Sequence, residues 1–146
     1  MRILAYHGID SYPTNSYTVK LDNFEDQMKY LEENYHVISL LDYLKILENN
    51  VIYLPNTVVV TFDDGFKNFY NLAYPILKKY QIPATCFVIT SKTDLNIADF
   101  MCWSDLREIM AEGLVNIGSH TVSHRPLSKL TDEELTQEIF ESKDII

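Results

Sequence analysis

Residues 57–60, Thr57-Val58-Val59-Val60, are four β-branched residues in a row, and they run directly into Thr61-Phe62-Asp63-Asp64-Gly65. A run of that kind has no polar face to turn toward water. It reads as a strand buried on both sides, the form found in parallel sheets. Further apolar runs at Ile3–Tyr6, Val37–Leu40, Ala84–Ile89 and Val115–Gly118 join Val58–Phe62 as expected strands.

Stretches with helical period lie between those runs. Phe24, Met28, Leu31 and Tyr35 mark a helix opened by Asp22 as N-cap, with Glu25 at the capping-box position. Leu41, Leu44 and Leu47 suggest a short helix running into Asn49-Asn50. Phe66, Phe69, Tyr70, Ala73, Leu77 and Tyr80 form an apolar face kinked or restarted at Pro75. Leu106, Ile109 and Met110 follow Trp103 and stop at Gly113, a C-terminal cap. Thr131 with Glu134 opens a last helix carrying Leu135 and Ile139.

Strands alternating with helices indicate an α/β fold with a parallel sheet or barrel. A closed (β/α) barrel takes about eight strands and over ~200 residues. The five strands expected in these 146 residues therefore leave two architectures, an open sheet or a barrel cut short. Neither an internal repeat nor a long linker divides the chain, so 1–146 is expected to form a single domain.

At 47% hydrophobic, with Tyr 10 and Phe 7, the chain has the material for a core. A formal charge of −9 argues against nucleic acid or an anionic membrane surface as partner. The acidic residues near the end, Asp132, Glu133, Glu134, Glu138, Glu141 and Asp144, read as a solvated helix face. Cys86, inside Ala84–Ile89, is expected to be a buried free thiol, and Cys102 has no C-x-x-C partner. Met1–His7 turns polar too soon for a signal-peptide core, and no run reaches membrane-span length. The expectation is a cytoplasmic protein, or an extracytoplasmic one if a segment upstream is missing.

The chemistry collects at two strand exits. Asp63 and Asp64 are adjacent carboxylates, and on extended backbone their side chains point to opposite sides. Asp-Gly at a strand end is also a common turn, so this segment alone leaves both readings open. His120 and His124, in His120-Thr121-Val122-Ser123-His124, fall on one side if the segment makes a helical turn. Two imidazoles and one carboxylate are a ligand set that leaves coordination open for water, and the second carboxylate is free to handle protons.

Together these segments resemble the polysaccharide deacetylase family, the NodB-homology domain of carbohydrate esterases. Thr61–Gly65 is similar to its first motif and His120–His124 to its H-[ST]-x-x-H second motif. Tyr74–Tyr80, Ile82-Pro83-Ala84-Thr85 and Ile117-Gly118-Ser119 also match in context. The resemblance implies a (β/α) barrel of the NodB type, incomplete in this chain, with the C-terminal part of the domain missing. It implies a metal-dependent hydrolase that removes N-acetyl groups from N-acetylglucosamine-containing polysaccharide, with metal-bound water as nucleophile. Asp64, His120 and His124 would hold a divalent ion, most often Zn²⁺, and Asp63 would be the general base. Tyr6-His7-Gly8-Ile9 resembles the Y-H-x-I opening of the poly-N-acetylglucosamine deacetylase subgroup, in which the N-terminal histidine serves as acid. That implies His7 as general acid, set against a strand-end histidine that only packs; His36 reads as structural. The family's later motifs have no counterpart here. Two alternatives therefore stay open: a non-catalytic metal-binding domain, and an amidase or O-acetyl esterase on the same fold.

Overall fold

A computed structural model of the chain describes residues 1–49 and 55–146. Its centre is strand β5 (Thr57–Phe62), in which every residue is buried, as the β-branched run predicts. β5 pairs in parallel with β1 (Arg2–Tyr6), β4 (His36–Val37) and β6 (Ala84–Val88), and β6 pairs in parallel with β7 (Val115–Ser119). These are the five strands expected from sequence. Two short strands went unforeseen, β2 (Gly8–Asp10) and β3 (Thr18–Lys20), which form a small parallel pair of their own.

Helices α1 (Leu21–Asn34), α2 (Leu40–Glu48), α3 (Tyr74–Lys79), α4 (Thr90–Asp94), α5 (Trp103–Ala111) and α6 (Asp132–Ile145) connect and follow the strands. One face of the sheet, through Val58, Val60, Phe62, Ala84, Cys86, Val88 and Val115, shares a core with Phe24 and Met28 of α1, Leu77 of α3 and Leu106 and Ile109 of α5. Phe62 sits in an aromatic cluster, 4.7 Å from the Phe69 ring, 5.3 Å from Tyr6 and 5.8 Å from Phe24 between centroids. Such edge and offset ring contacts fix geometry as well as bury area. The last residue before Asp63 is thereby anchored on three sides.

Several local expectations change. The start of α1 is Leu21, with Lys20 as N-cap and no side-chain cap. Asp22 instead lies in the first turn paired with Lys20 at 2.7 Å, and Glu25 pairs with Lys79 at 2.7 Å, so the capping box does not form. The expected strand Val37–Leu40 is cut to His36–Val37 because Ser39 accepts the Asp42 N–H and starts α2 at Leu40. Leu41, Leu44 and Leu47 of α2 are about half exposed, at 50%, 44% and 49%. Asn50, to which that helix was expected to run, lies outside the described residues.

Pro75 acts as the sequence suggests. Lacking an N–H, it cannot make the ordinary i−4 bond, and the preceding turn Phe69–Ala73 widens to a π-helix before α3 begins. Gly113 follows α5 at φ 73° and donates to Met110 O, the expected C-terminal cap. Thr131 and Glu134 form the expected capping box of α6. In that helix Ile139 is exposed, while Glu138 and Ser142 are buried. Glu138 therefore leaves the solvated acidic face to which its neighbours belong. Cys86 is buried and both cysteines are free. Burial, aided by the Asp63 and Asp64 charges, pushes the Cys86 thiol well above its ordinary range. Among the described residues no helix is long and apolar enough to cross a membrane.

Candidate metal centre

Because the sheet is parallel, β1, β5 and β7 all end at one edge, and that edge collects His7, Asp63, Asp64, His120 and His124. Sites of α/β folds gather at this edge because loops leave there while the strands below stay rigid.

Asp63 directly follows β5, and its N–H donates to Tyr6 O at 2.9 Å. Asp64 turns into the left-handed region at φ 70° and Gly65 follows at φ 77°. The two carboxylates are thus separated by a turn, where the sequence suggested strand alternation. A Cβ on Gly65 would lie 2.9 Å from Val88 Cγ1, so the turn packs directly on the end of β6. Only glycine meets both demands.

The His120–His124 segment also differs from its expected helical turn. It is a bent loop with Thr121 at φ 68° and His124 at φ 61°. His120 N–H donates to Val88 O at 2.9 Å, while Thr90 and Ser91 N–H groups donate to Thr121 O and Val122 O. His124 N–H donates to Thr121 Oγ1 at 3.0 Å. These bonds hold non-glycine residues in left-handed backbone, a conformation that costs about 1–3 kcal/mol each and concentrates at functional sites. The two imidazoles end 4.7 Å apart between centroids.

Asp64 Oδ1 lies 3.4 Å from His120 Nε2 and 3.7 Å from His124 Nε2. The three ligand atoms are all within 4.8 Å of one another. Those separations exceed the usual N–H···O range. They approach the edge of a tetrahedron around an ion with bonds of about 2.0–2.1 Å, which is roughly 3.3–3.4 Å. Asp64 Oδ1 is shielded from solvent and has no hydrogen-bond partner among the described residues. A buried carboxylate oxygen left without a donor is costly unless a cation faces it. The three residues therefore fit a divalent ion. His124, 55% exposed, marks the open side.

His7 and Asp63 stand beside this cluster. His7 Nε2 is 3.9 Å from Asp63 Oδ2, and the Tyr17 ring tilts against the imidazole at 5.7 Å. His7, Tyr17, Phe66, Asp64 and His124 line one cavity of about 410 Å³. His36 is far simpler, an exposed residue that begins β4.

The sequence profile of the family described as "Polysaccharide deacetylase" matches residues 53–146. The chain belongs to the polysaccharide deacetylase family. The Bacillus subtilis protein YxkH is 33% identical over 144 residues, covering 98% of this chain and 50% of its own. A poly-β-1,6-N-acetyl-D-glucosamine N-deacetylase of Staphylococcus aureus is 31% identical over 133 residues, covering 89% of this chain and 46% of its own. The structure of Streptococcus pyogenes deacetylase PplD in complex with acetate superposes with a TM-score of 0.90 at 33% identity, covering 99% of this chain and 66% of that one. This chain spans about half the length of the curated relatives it matches. Its parallel α/β sheet has the (β/α) barrel fold type of these deacetylases.

Sequence reasoning missed what supports the deacetylase loop from behind. Glu138 of α6 accepts the Ser123 N–H at 2.8 Å and the Ser123 hydroxyl. Ser119 and Ser142 hydroxyls bond at 2.6 Å. The i, i+4 spacing of Glu138 and Ser142 was the available signal, hidden by the acidic residues around it.

Proposed function

We propose that residues 1–146 belong to a single NodB-homology domain and carry catalytic-site residues of a metal-dependent N-deacetylase for N-acetylglucosamine-containing polysaccharide. The observation that carries this reading is the convergence of Asp64, His120 and His124 around an unpaired, shielded Asp64 oxygen, in a chain of this family. Asp64, His120 and His124 would hold the ion, with Zn²⁺ fitting the N₂O donor set. When bound, such an ion supplies an acidified water and polarises the acetyl carbonyl.

The chain's own residues then divide the proton work. Asp63, beside the cluster but outside it, takes the proton of the attacking water. His7, at the exit of the neighbouring strand β1, gives a proton to the departing sugar amine. His7 Nε2 and Asp63 Oδ2 lie 3.9 Å apart, near enough to serve one reacting group and too far for a short bond to lock them together. Phe66 and Tyr17 wall the cavity with apolar surface suited to a sugar face. One relative supports the substrate class, being named for poly-β-1,6-N-acetyl-D-glucosamine, and another, solved with acetate, supports removal of an acetyl group.

The test is acetate release by the zinc-loaded chain, measured on N-acetylglucosamine oligosaccharides and, in parallel, on O-acetylated sugars. Release from the amide is the expected result. Release from the ester alone would assign the esterase chemistry instead.

A further inference from the structure

The cavity lined by His7, Asp64 and His124 is not the larger one. A second cavity of about 590 Å³ adjoins it, and Gly8, Asn15, Thr18 and Phe66 line both. Those four residues form a waist that the two spaces share. Gly8 sets its width: a Cβ there would lie 2.9 Å from Thr18 Oγ1 and 3.4 Å from Asn68 Nδ2.

Beyond the waist the lining changes character. Asp10, Asn68, Asn71 and Asp99 face it along with Lys67. Lys67 already has its charge matched, with Nζ 2.7 Å from Asp105 and 5.0 Å from the centre of the Tyr70 ring. Among the described residues the chamber thus offers amides, hydroxyls and carboxylates but no spare cation. Asn68 Oδ1 is shielded and unpaired among the described residues, which is unusual for an amide oxygen in a folded chain. Side-chain amides carry both donors and acceptors, the pattern needed for hydroxyl and acetamide groups. Each of the two volumes falls in the range of pockets that enclose small ligands.

We infer that this second chamber is a binding subsite for the neighbouring sugar unit of the polymer, with Asn68 and Asn71 as its recognition residues. The inference rests on the deacetylase reading of the adjoining site. A uronate or phosphate substituent is refused, because Asp10 and Asp99 would meet it without a compensating charge. A neutral N-acetylhexosamine is accepted, and the chamber lengthens the chain that the site can grip.

The test compares the N-acetylglucosamine monosaccharide with its tetramer in the full zinc-loaded chain, for wild type, Asn71→Ala and Asn68→Ala. Asn71 is exposed, so its variant removes no core packing. Each substitution is expected to raise KM for the tetramer about three- to tenfold, the worth of one hydrogen bond, with kcat little changed and the preference for tetramer over monomer reduced. An equal loss at both lengths, or no loss, would overturn the subsite. Should the wild type release acetate from neither substrate, the deacetylase reading fails separately. The subsite is then decided by NMR, where adding tetramer is expected to shift the side-chain amide signals of Asn68 and Asn71, and unmoved signals would contradict it.

Discussion

Glu138 accepts two hydrogen bonds from a single residue, Ser123, through the backbone N–H at 2.8 Å and through the hydroxyl. One buried carboxylate of α6 thereby braces the loop that carries His120 and His124. Glu138→Gln should destabilise the fold by about 1–3 kcal/mol, because the amide nitrogen places a donor against donors. Denaturant unfolding of the two proteins measures this directly, and an unchanged midpoint would show that the loop holds without the brace.

The same residue sets a pH dependence. Burial raises the Glu138 pKa, but hydrogen bonds from Ser123, Thr121 and Val122 outweigh it and hold the carboxyl below its ordinary 4.5. A depressed folded value contributes stability that is complete above the ordinary value and is lost as pH falls through the lower folded one. The Tm of wild type should therefore drop more steeply than that of Glu138→Gln as pH falls below about 4.5. Parallel curves would contradict this.

Gly65 and Gly113 make a matched pair for backbone strain, at φ 77° and 73°. A Cβ at Gly113 meets nothing within 4 Å, whereas one at Gly65 strikes Val88. Gly113→Ala should cost about 1–2 kcal/mol, the left-handed penalty alone. Gly65→Ala adds an overpacking cost of about 1–3 kcal/mol. Thermal melts should rank the two in that order; the reverse order would mean that the turn at Asp64-Gly65 yields easily.

Asp63 and His7 are expected to separate binding from turnover. Asp63→Asn should keep zinc stoichiometry while acetate release falls about 10²–10⁴-fold. His7→Ala should also keep zinc and should lower kcat more than it raises KM. If His7→Ala turns over like wild type, the amine leaves without that acid.

The β-branched run at 57–60 and the spacing of helical segments made the main sheet legible, because burial on both faces leaves a sequence few alternatives. Asp64, His120 and His124 were legible as a candidate ligand set by type and motif. Their geometry was not, since left-handed turns at Asp64, Thr121 and His124 replace the strand alternation and helical turn that spacing suggests. Local rules also failed where tertiary contacts won. Glu25 was taken from its capping role by Lys79, 54 residues away. Glu138, read as solvated, was buried against a loop 15 residues earlier in the chain.

Asp64, His120 and His124 are proposed to hold one divalent ion. Isothermal calorimetry of zinc binding to wild type, Asp64→Ala and His120→Ala tests it without requiring turnover. One site per chain in wild type, absent in both variants while their folds persist by circular dichroism, is the expected result. Unchanged stoichiometry in either variant would contradict the ligand assignment.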